Sequence, residues 1–393
     1  MTSEPHVASP AEIKAGEVTD VYFLHGQQVL VEEGENPHVV AEIRASSFPR
    51  DWGWCVFAGL DEALWLLEGH NLEVQALPEG SVFYPEEPVM VVAGPYLEFG
   101  LLETALLGLL CQSSGIATMA ARCRLAAGTR PVYSFGARRM HPAIAPMIDR
   151  AAYIGGCDGV AVVKSAEVLG LTPVGTMAHA LIVILGEERA WRGFDRHMDR
   201  RVPRVALVDT FQDEKFGAVA AALTIGKNLA AVRLDTPASR RGNFAAILRE
   251  VRWELDERGF NGVKLFASGG IDEAKILELN RFADAYGVGT SISNAAVVDF
   301  ALDIVEVAGK ARAKRGKLSG RKLLWECREC LNRGIAPARR LGHCPRCGHR
   351  VRSLLETFIS KGRRRGRAPS AHDLRELALQ QLAGAPDPFG RKE

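Results

Sequence analysis

Apolar positions in the middle of the chain fall into short runs of strand length, with helical spacing in the intervals between them. The runs are Val132–Phe135, Gly159–Val163, Pro173–Gly175, Val205–Val208, Ala231–Leu234, Val263–Phe266 and Ala283–Gly287. Helical segments such as Phe216–Asn228, Phe244–Arg258 and Glu273–Asn280 fill most of the gaps. Strands alternating with helices predict parallel strands joined by crossover helices. Seven strand candidates are one short of the eight that close a β/α barrel. The fold class predicted is therefore α/β, an incomplete or distorted β/α barrel with additions at both ends.

Before the barrel the pattern is mixed. Val18–Leu24, Val39–Ile43 and Val89–Ala93 look like strands, and Asp61–Glu68 like an acidic helix, as in an α+β domain. From Pro95 a helical stretch repeats Leu101, Leu102, Ala105 and Leu109, and a second helix, Ile116 to Ala126, ends before Gly128. Beyond Gly309 the composition shifts to a basic linker, a cysteine cluster, the run Lys361–Arg367 and an amphipathic helix, Ala371–Leu382. The domains expected are residues 1–127 (N-terminal α+β with connecting helices), 128–309 (barrel), 318–356 (a four-cysteine zinc module) and 357–393 (basic linker and C-terminal helix).

Composition adds little. Hydrophobic residues at 47% and charged residues at 24% are ordinary for a globular enzyme, and a net charge of +2 gives no reason to expect a nucleic-acid partner. The Lys361–Arg367 run has no interleaved aromatics, so a solvated tail is expected there. Leu101–Leu110 is too short to span a membrane and is interrupted by Glu103, and the N-terminus lacks a signal pattern. A cytoplasmic protein with no membrane partner is expected.

Of eight cysteines, Cys55, Cys111, Cys123 and Cys157 are scattered in apolar surroundings and read as buried thiols. Cys327-x-x-Cys330 and Cys344-x-x-Cys347, thirteen residues apart, form two knuckles that can place four thiolates around one zinc ion with no open position, a structural site. A pair of disulfides is the weaker alternative, and His343 or His349 could replace a ligand.

The chemistry lies at the strand ends. Ala267-Ser-Gly-Gly-Ile-Asp272 and Gly287-Val-Gly-Thr290 are paired glycine turns on the last two strands, where barrels bind phosphate through backbone N–H groups. Asp209 and Asp235 each end a strand and precede threonine; they can hold ribose hydroxyls or Mg²⁺, or merely cap the next helix. Arg138 and Arg139 offer planar forks for carboxylate or phosphate, beside Phe135, which can stack on a flat heterocycle. His179, in Gly175-Thr-Met-Ala-His179, is a candidate acid/base, phosphate contact or phosphoryl acceptor.

Together with Thr19-Asp-Val-Tyr-Phe23, these motifs resemble the nicotinate phosphoribosyltransferases of the type II group over residues 15–300, and the cysteine module resembles that of their short archaeal-like members. The resemblance implies transfer of phosphoribose from phosphoribosyl pyrophosphate to nicotinate, giving nicotinate mononucleotide and pyrophosphate in NAD biosynthesis. It also implies coupling to ATP through a phosphohistidine at His179, with Mg²⁺ as cofactor. By resemblance, Tyr22 reaches across a dimer interface to stack on the pyridine opposite Phe135, with Arg138 and Arg233 as base contacts. Arg138, Arg139, Asp209, Thr210, Asp235, Ser268, Gly269, Gly270, Gly287, Gly289 and Thr290 hold phosphoribosyl pyrophosphate, and His179 and Asp235 are catalytic. A homodimer or dimer-based oligomer follows. One departure is Ala161-Val-Val-Lys164, where a small polar residue is expected after Gly159; Lys164 is a candidate substitute. Quinolinate, which demands more cations, and nicotinamide, which prefers an acidic acceptor such as Asp158, stay open as alternative bases. A nucleic-acid-binding zinc protein on a barrel scaffold is the remaining alternative.

Overall fold

The computed structural model describes residues 5–237, 239–240, 242–338 and 342–391. Two compact units make up the chain: Met1–Thr118 with Ala296–Glu393, and Met119–Ala295.

The second unit holds a six-stranded sheet in the order Gly159–Val160, Val132–Ser134, Ala285–Val288, Lys264–Ser268, Leu229–Leu234, Arg204–Leu207. Every pairing is parallel. The strands are buried and apolar, with Val132, Val160, Leu207, Val232, Leu234, Leu265 and Val288 each at 0% exposure, as a sheet covered on both faces requires. Strand order follows a barrel that stops short of closure: the seam lies between the Gly159 strand and the Arg204 strand. The seventh run, Pro173–Gly175, falls in that seam and is not a strand. Pro173 has no N–H to give a ladder, and the segment keeps one backbone bond to the sheet, from Val174 N to Val160 O at 2.8 Å. The crossover helices follow the expectation, at Glu214–Ile225, Phe244–Glu257 and Glu273–Leu279.

The first unit is built on a seven-stranded antiparallel sheet, ordered Lys310–Ala311, Ala301–Val307, His38–Arg44, Pro88–Pro95, Glu73–Ala76, Glu356–Ser360, Arg363–Arg364. Residues 301–307, grouped with the barrel by sequence, thus pair with the N-terminal strand His38–Arg44. The basic run is not a loose tail: Arg363–Arg364 forms the edge of this sheet, and Arg364 pairs with Asp61. A small antiparallel sheet, Arg333–Pro337, Lys322–Cys327, Val351–Ser353, carries the cysteines. It is anchored by charge. Lys322 Nζ lies 2.9 Å from the fully buried Glu42, and Arg333 makes two bonds, 2.6 and 2.9 Å, to Glu87. The C-terminal helix Ala371–Leu382 starts at a Ser370/Asp373 capping box and buries Leu374, Ala378 and Leu382.

Two local readings differ. Val18–Leu24 is not a strand; a helix, Val21–Glu32, begins after Asp20, which adopts the extended N-cap conformation. The two helices expected after Pro95 are one, Glu103–Ala127, because burial along it outweighs the roughly 1 kcal/mol that a glycine such as Gly115 costs. As Gly100–Ala127 this helix is long and apolar enough to cross a membrane by length and composition, and 67% of its most apolar window is buried inside the protein.

Candidate active site

The carboxyl ends of the parallel strands enclose a cavity of about 290 Å³. Its walls include Phe135, Arg138, Arg139, Arg233, Asp235, Ser268, Gly269, Gly270, Gly287, Gly289 and Thr290, drawn from four separate strand ends. Sequence-distant residues meet here because parallel strands all point their carboxyl ends the same way.

The glycine turns serve two different steric needs. Gly269 and Gly270 have φ of +79° and +64°, a conformation that admits the tight turn before Asp272 caps the helix Glu273–Leu279. Gly287 lies under the Phe135 ring: a β-carbon there would come within 2.6 Å of two ring carbons. Gly287 therefore makes room for the aromatic wall. Phe135 also packs on Phe266, at 5.7 Å between centroids, and the Arg233 guanidinium sits 5.7 Å over its ring.

Arg233 is the most constrained group. Its Nε donates to Ser268 Oγ at 2.9 Å, Nη1 to Thr176 Oγ1 at 2.8 Å and Nη2 to Asp235 Oδ2 at 2.7 Å. Arg138 and Arg139, in a short 3-10 turn after Gly136, are exposed and make no ion pair among the described residues. The cavity thus has two uncommitted cations and one neutralised by Asp235. The remaining wall, Ala161, Val174 and Gly175, is uncharged.

Asp209 and Asp235 are not helix caps; Asp213 and Asn243 do that work for the helices that follow. Asp209 accepts from the backbone N–H of Asp235 at 3.0 Å and faces His179 Nε2 at 3.4 Å. Burial raises the Asp209 carboxyl above the ordinary range, and the neighbouring Asp235 charge adds to this, with His179 opposing. Its Oδ1 and the Thr210 hydroxyl are buried without a hydrogen-bond partner among the described residues. His179 opens the helix His179–Leu185 with its side chain 44% exposed. His179 and Asp209 adjoin the cavity through Asp235 rather than lining it.

Three further sequence candidates are not in the lining of this cavity. Tyr22 is in the first unit, on the helix Val21–Glu32, 61% exposed. Lys164 pairs with Glu167 at 2.8 Å on an exposed helix, so it supplies no cation to the cavity. Asp158 is committed to Arg124 at 2.6 Å and to the backbone N–H of Val132. Thr176 was the omission: it lines the cavity and holds Arg233. Its place in the Gly175–His179 motif was the available signal.

In the first unit the four sulfurs of Cys327, Cys330, Cys344 and Cys347 lie within 4.8 Å of one another. The Cys327–Cys347 and Cys330–Cys344 separations are 3.4 and 3.6 Å, close to the edge of a tetrahedron whose centre is about 2.3 Å from each sulfur. All four are free thiols, so the cluster can bind a metal and the disulfide alternative falls.

Comparison with known proteins agrees with this geometry. Residues 20–114 match the N-terminal domain, and residues 116–303 the C-terminal domain, of quinolinate phosphoribosyl transferase. A nicotinate phosphoribosyltransferase of Mycobacterium tuberculosis is 31% identical over 351 residues, covering 83% of this chain and 72% of its own. One from Bacillus subtilis is 29% identical, covering 70% and 63%. Among solved structures, a nicotinate-nucleotide pyrophosphorylase from Pyrococcus furiosus superposes with a TM-score of 0.95 at 51% identity over the whole of both chains. Human nicotinic acid phosphoribosyltransferase shares the fold, with a TM-score of 0.72 at 20% identity over 93% of each chain. An open parallel barrel with an arginine-and-glycine cradle at its carboxyl ends is thus that of a phosphoribosyltransferase. Within that class the chain belongs to the nicotinate phosphoribosyltransferase family.

Proposed function

We propose that the enzyme joins nicotinate to the phosphoribosyl group of phosphoribosyl pyrophosphate, in NAD biosynthesis. The pyridine nitrogen forms a bond to C1 of the ribose as the C1–oxygen bond breaks, and its electron pair leaves with pyrophosphate. The observation that carries this reading is the meeting of Phe135, Arg138, Arg139, Arg233, Asp235 and the two glycine turns on one cavity. An aromatic wall suits a flat base, glycine turns suit a 5′-phosphate, and unpaired arginines suit the carboxylate and the departing anion. Gly269, Gly270, Gly289 and Thr290 would take the 5′-phosphate, and Arg138 and Arg139 the pyrophosphate or the carboxylate.

Asp209 and Asp235 would hold Mg²⁺: Asp209 has a buried oxygen without a hydrogen bond, beside a second carboxylate. When bound, the ion neutralises charge on the pyrophosphate. His179, oriented by Asp209, would accept a phosphoryl group from ATP, the nitrogen–phosphorus bond forming as ADP leaves. The four-thiolate cluster would hold zinc as a structural ion. Working in the cytoplasm would keep the eight cysteines, none of them in a disulfide, reduced.

Quinolinate is the second reading, favoured by the name of the matching domains. The charge balance weighs against it. A second carboxylate needs a further cation, yet Arg233 is neutralised, Lys164 is paired and Ala161 and Val174 are apolar. Nicotinamide lacks its acidic acceptor, because Asp158 is committed to Arg124. Assayed side by side with phosphoribosyl pyrophosphate, nicotinate should be turned over at least about tenfold more efficiently than quinolinate or nicotinamide. Preference for either rival overturns the assignment. With γ-labelled ATP, His179→Ala should lose the label that the parent enzyme takes up; equal labelling removes the phosphohistidine.

The helix Val21–Glu32 buries none of its residues although Val21, Tyr22, Leu24, Val29 and Val31 lie along it. That apolar surface supports a homodimer, with Tyr22 delivered to the partner's base site. Sedimentation equilibrium should give twice the chain mass of 42.7 kDa, and a monomer at micromolar concentration would count against it.

A further inference from the structure

The geometry points to Thr176 and Ser268 as positioning residues that lock Arg233 and Asp235 into one preformed group, so that Arg233 meets substrate as a fixed two-donor fork. Ser268 is 2% exposed, and its hydroxyl is engaged on both sides. It accepts from Arg233 Nε at 2.9 Å and donates to Asp235 Oδ1 at 2.8 Å, while the other oxygen of Asp235 takes Arg233 Nη2 at 2.7 Å. These bonds close a ring of three side chains. A hydroxyl used in this way orders its neighbours instead of contacting phosphate.

Thr176 completes the arrangement from the other side. Its Oγ1 accepts from Arg233 Nη1 at 2.8 Å, and it belongs to the segment that lies in the open seam of the barrel. Three of the five guanidinium N–H groups are thereby spent, leaving one on each Nη nitrogen. The strand ends carrying Arg233 and Ser268 are fixed by parallel ladders. Among the described residues the seam segment has only the Val174–Val160 backbone bond to the sheet, so the Thr176 hydroxyl also ties that segment to the reacting groups. The side-chain entropy of a long arginine is lost before substrate arrives, and the remaining donors are aimed without rearrangement.

The inference rests on the phosphoribosyl-transfer reading, and the test separates the two. Thr176→Val removes the oxygen at nearly constant volume, and Thr176→Ser keeps it. With nicotinate and phosphoribosyl pyrophosphate, Thr176→Val should lower kcat about tenfold, with the KM for phosphoribosyl pyrophosphate within about twofold of the parent. Thr176→Ser should restore kcat, and all three proteins should melt together. Unchanged kcat in Thr176→Val, or failure of serine to restore it, overturns the proposal. The substrate-free readout is hydrogen exchange of the Arg233 Nε–H by NMR, assigned by its loss in Arg233→Lys. It should be protected in the parent and in Thr176→Ser, and exposed in Ser268→Ala. A protected signal in a parent that turns over no pyridine base sinks the functional reading and supports the positioning. An unprotected signal in an active parent sinks the positioning alone.

Discussion

Asp235→Ala is expected to lower kcat by about 10²–10³-fold without unfolding the protein. The carboxylate is the single acceptor that both neutralises Arg233 and receives the Ser268 hydroxyl, at 2.7 and 2.8 Å. Removing it frees Arg233 from its ring and takes away half of the carboxylate pair with Asp209. Asp235→Asn should be nearly as damaging, because the amide keeps the shape but loses the negative charge that balances Arg233. The charge balance predicts an opposite effect on anion binding. With Arg233 no longer neutralised, pyrophosphate without Mg²⁺ should bind Asp235→Ala at least as tightly as the parent. Steady-state kinetics with calorimetric titration of pyrophosphate checks both parts; a loss of kcat below about tenfold would remove Asp235 from the reacting group.

Withdrawing metal from the cysteine module is the second large effect. The parent should carry about one zinc per chain, and Cys344→Ser should carry none. Closed four-thiolate sites contribute folding free energy outright, on the order of 10–16 kcal/mol in isolated finger peptides. Here the module is also held by Lys322–Glu42 and Arg333–Glu87, so part of the structure should survive. Hydrogen exchange should show the strands Lys322–Cys327, Arg333–Pro337 and Val351–Ser353 losing protection, together with Trp325, which packs on Cys327 and Cys344. The parallel sheet of the other unit should keep its protection. A metal-free parent with those strands already protected would remove the zinc assignment.

Much of the barrel was legible because its strands are apolar runs bounded by polar turns, and burial on both faces leaves such a signature. Pro173–Gly175 misled because its composition resembles a strand while the missing N–H of Pro173 denies it a ladder. Val18–Leu24 misled in the same direction, since β-branched residues raise strand propensity but Asp20 starts a helix. The basic run Lys361–Arg367 gave no sign that its middle would pair as a sheet edge, because its hairpin partner Glu356–Ser360 joins the sheet only through Glu73–Ala76, a strand far away in sequence.

Local spacing was enough for the chemistry: it showed which side chains end which strands, and that two CxxC knuckles can gather four thiolates. Tertiary structure decided how that chemistry is wired. It tied Arg233 to Thr176 and Ser268 while leaving Arg138 and Arg139 without an ion pair among the described residues, set Gly287 under the Phe135 ring and committed Asp158 to Arg124. Hydrogen bonds and charge pairs between residues 33 to 57 positions apart, such as Arg233 with Thr176 and Asp235 with Ser268, leave no trace in local pattern. They exist only once the strands bring their carboxyl ends together.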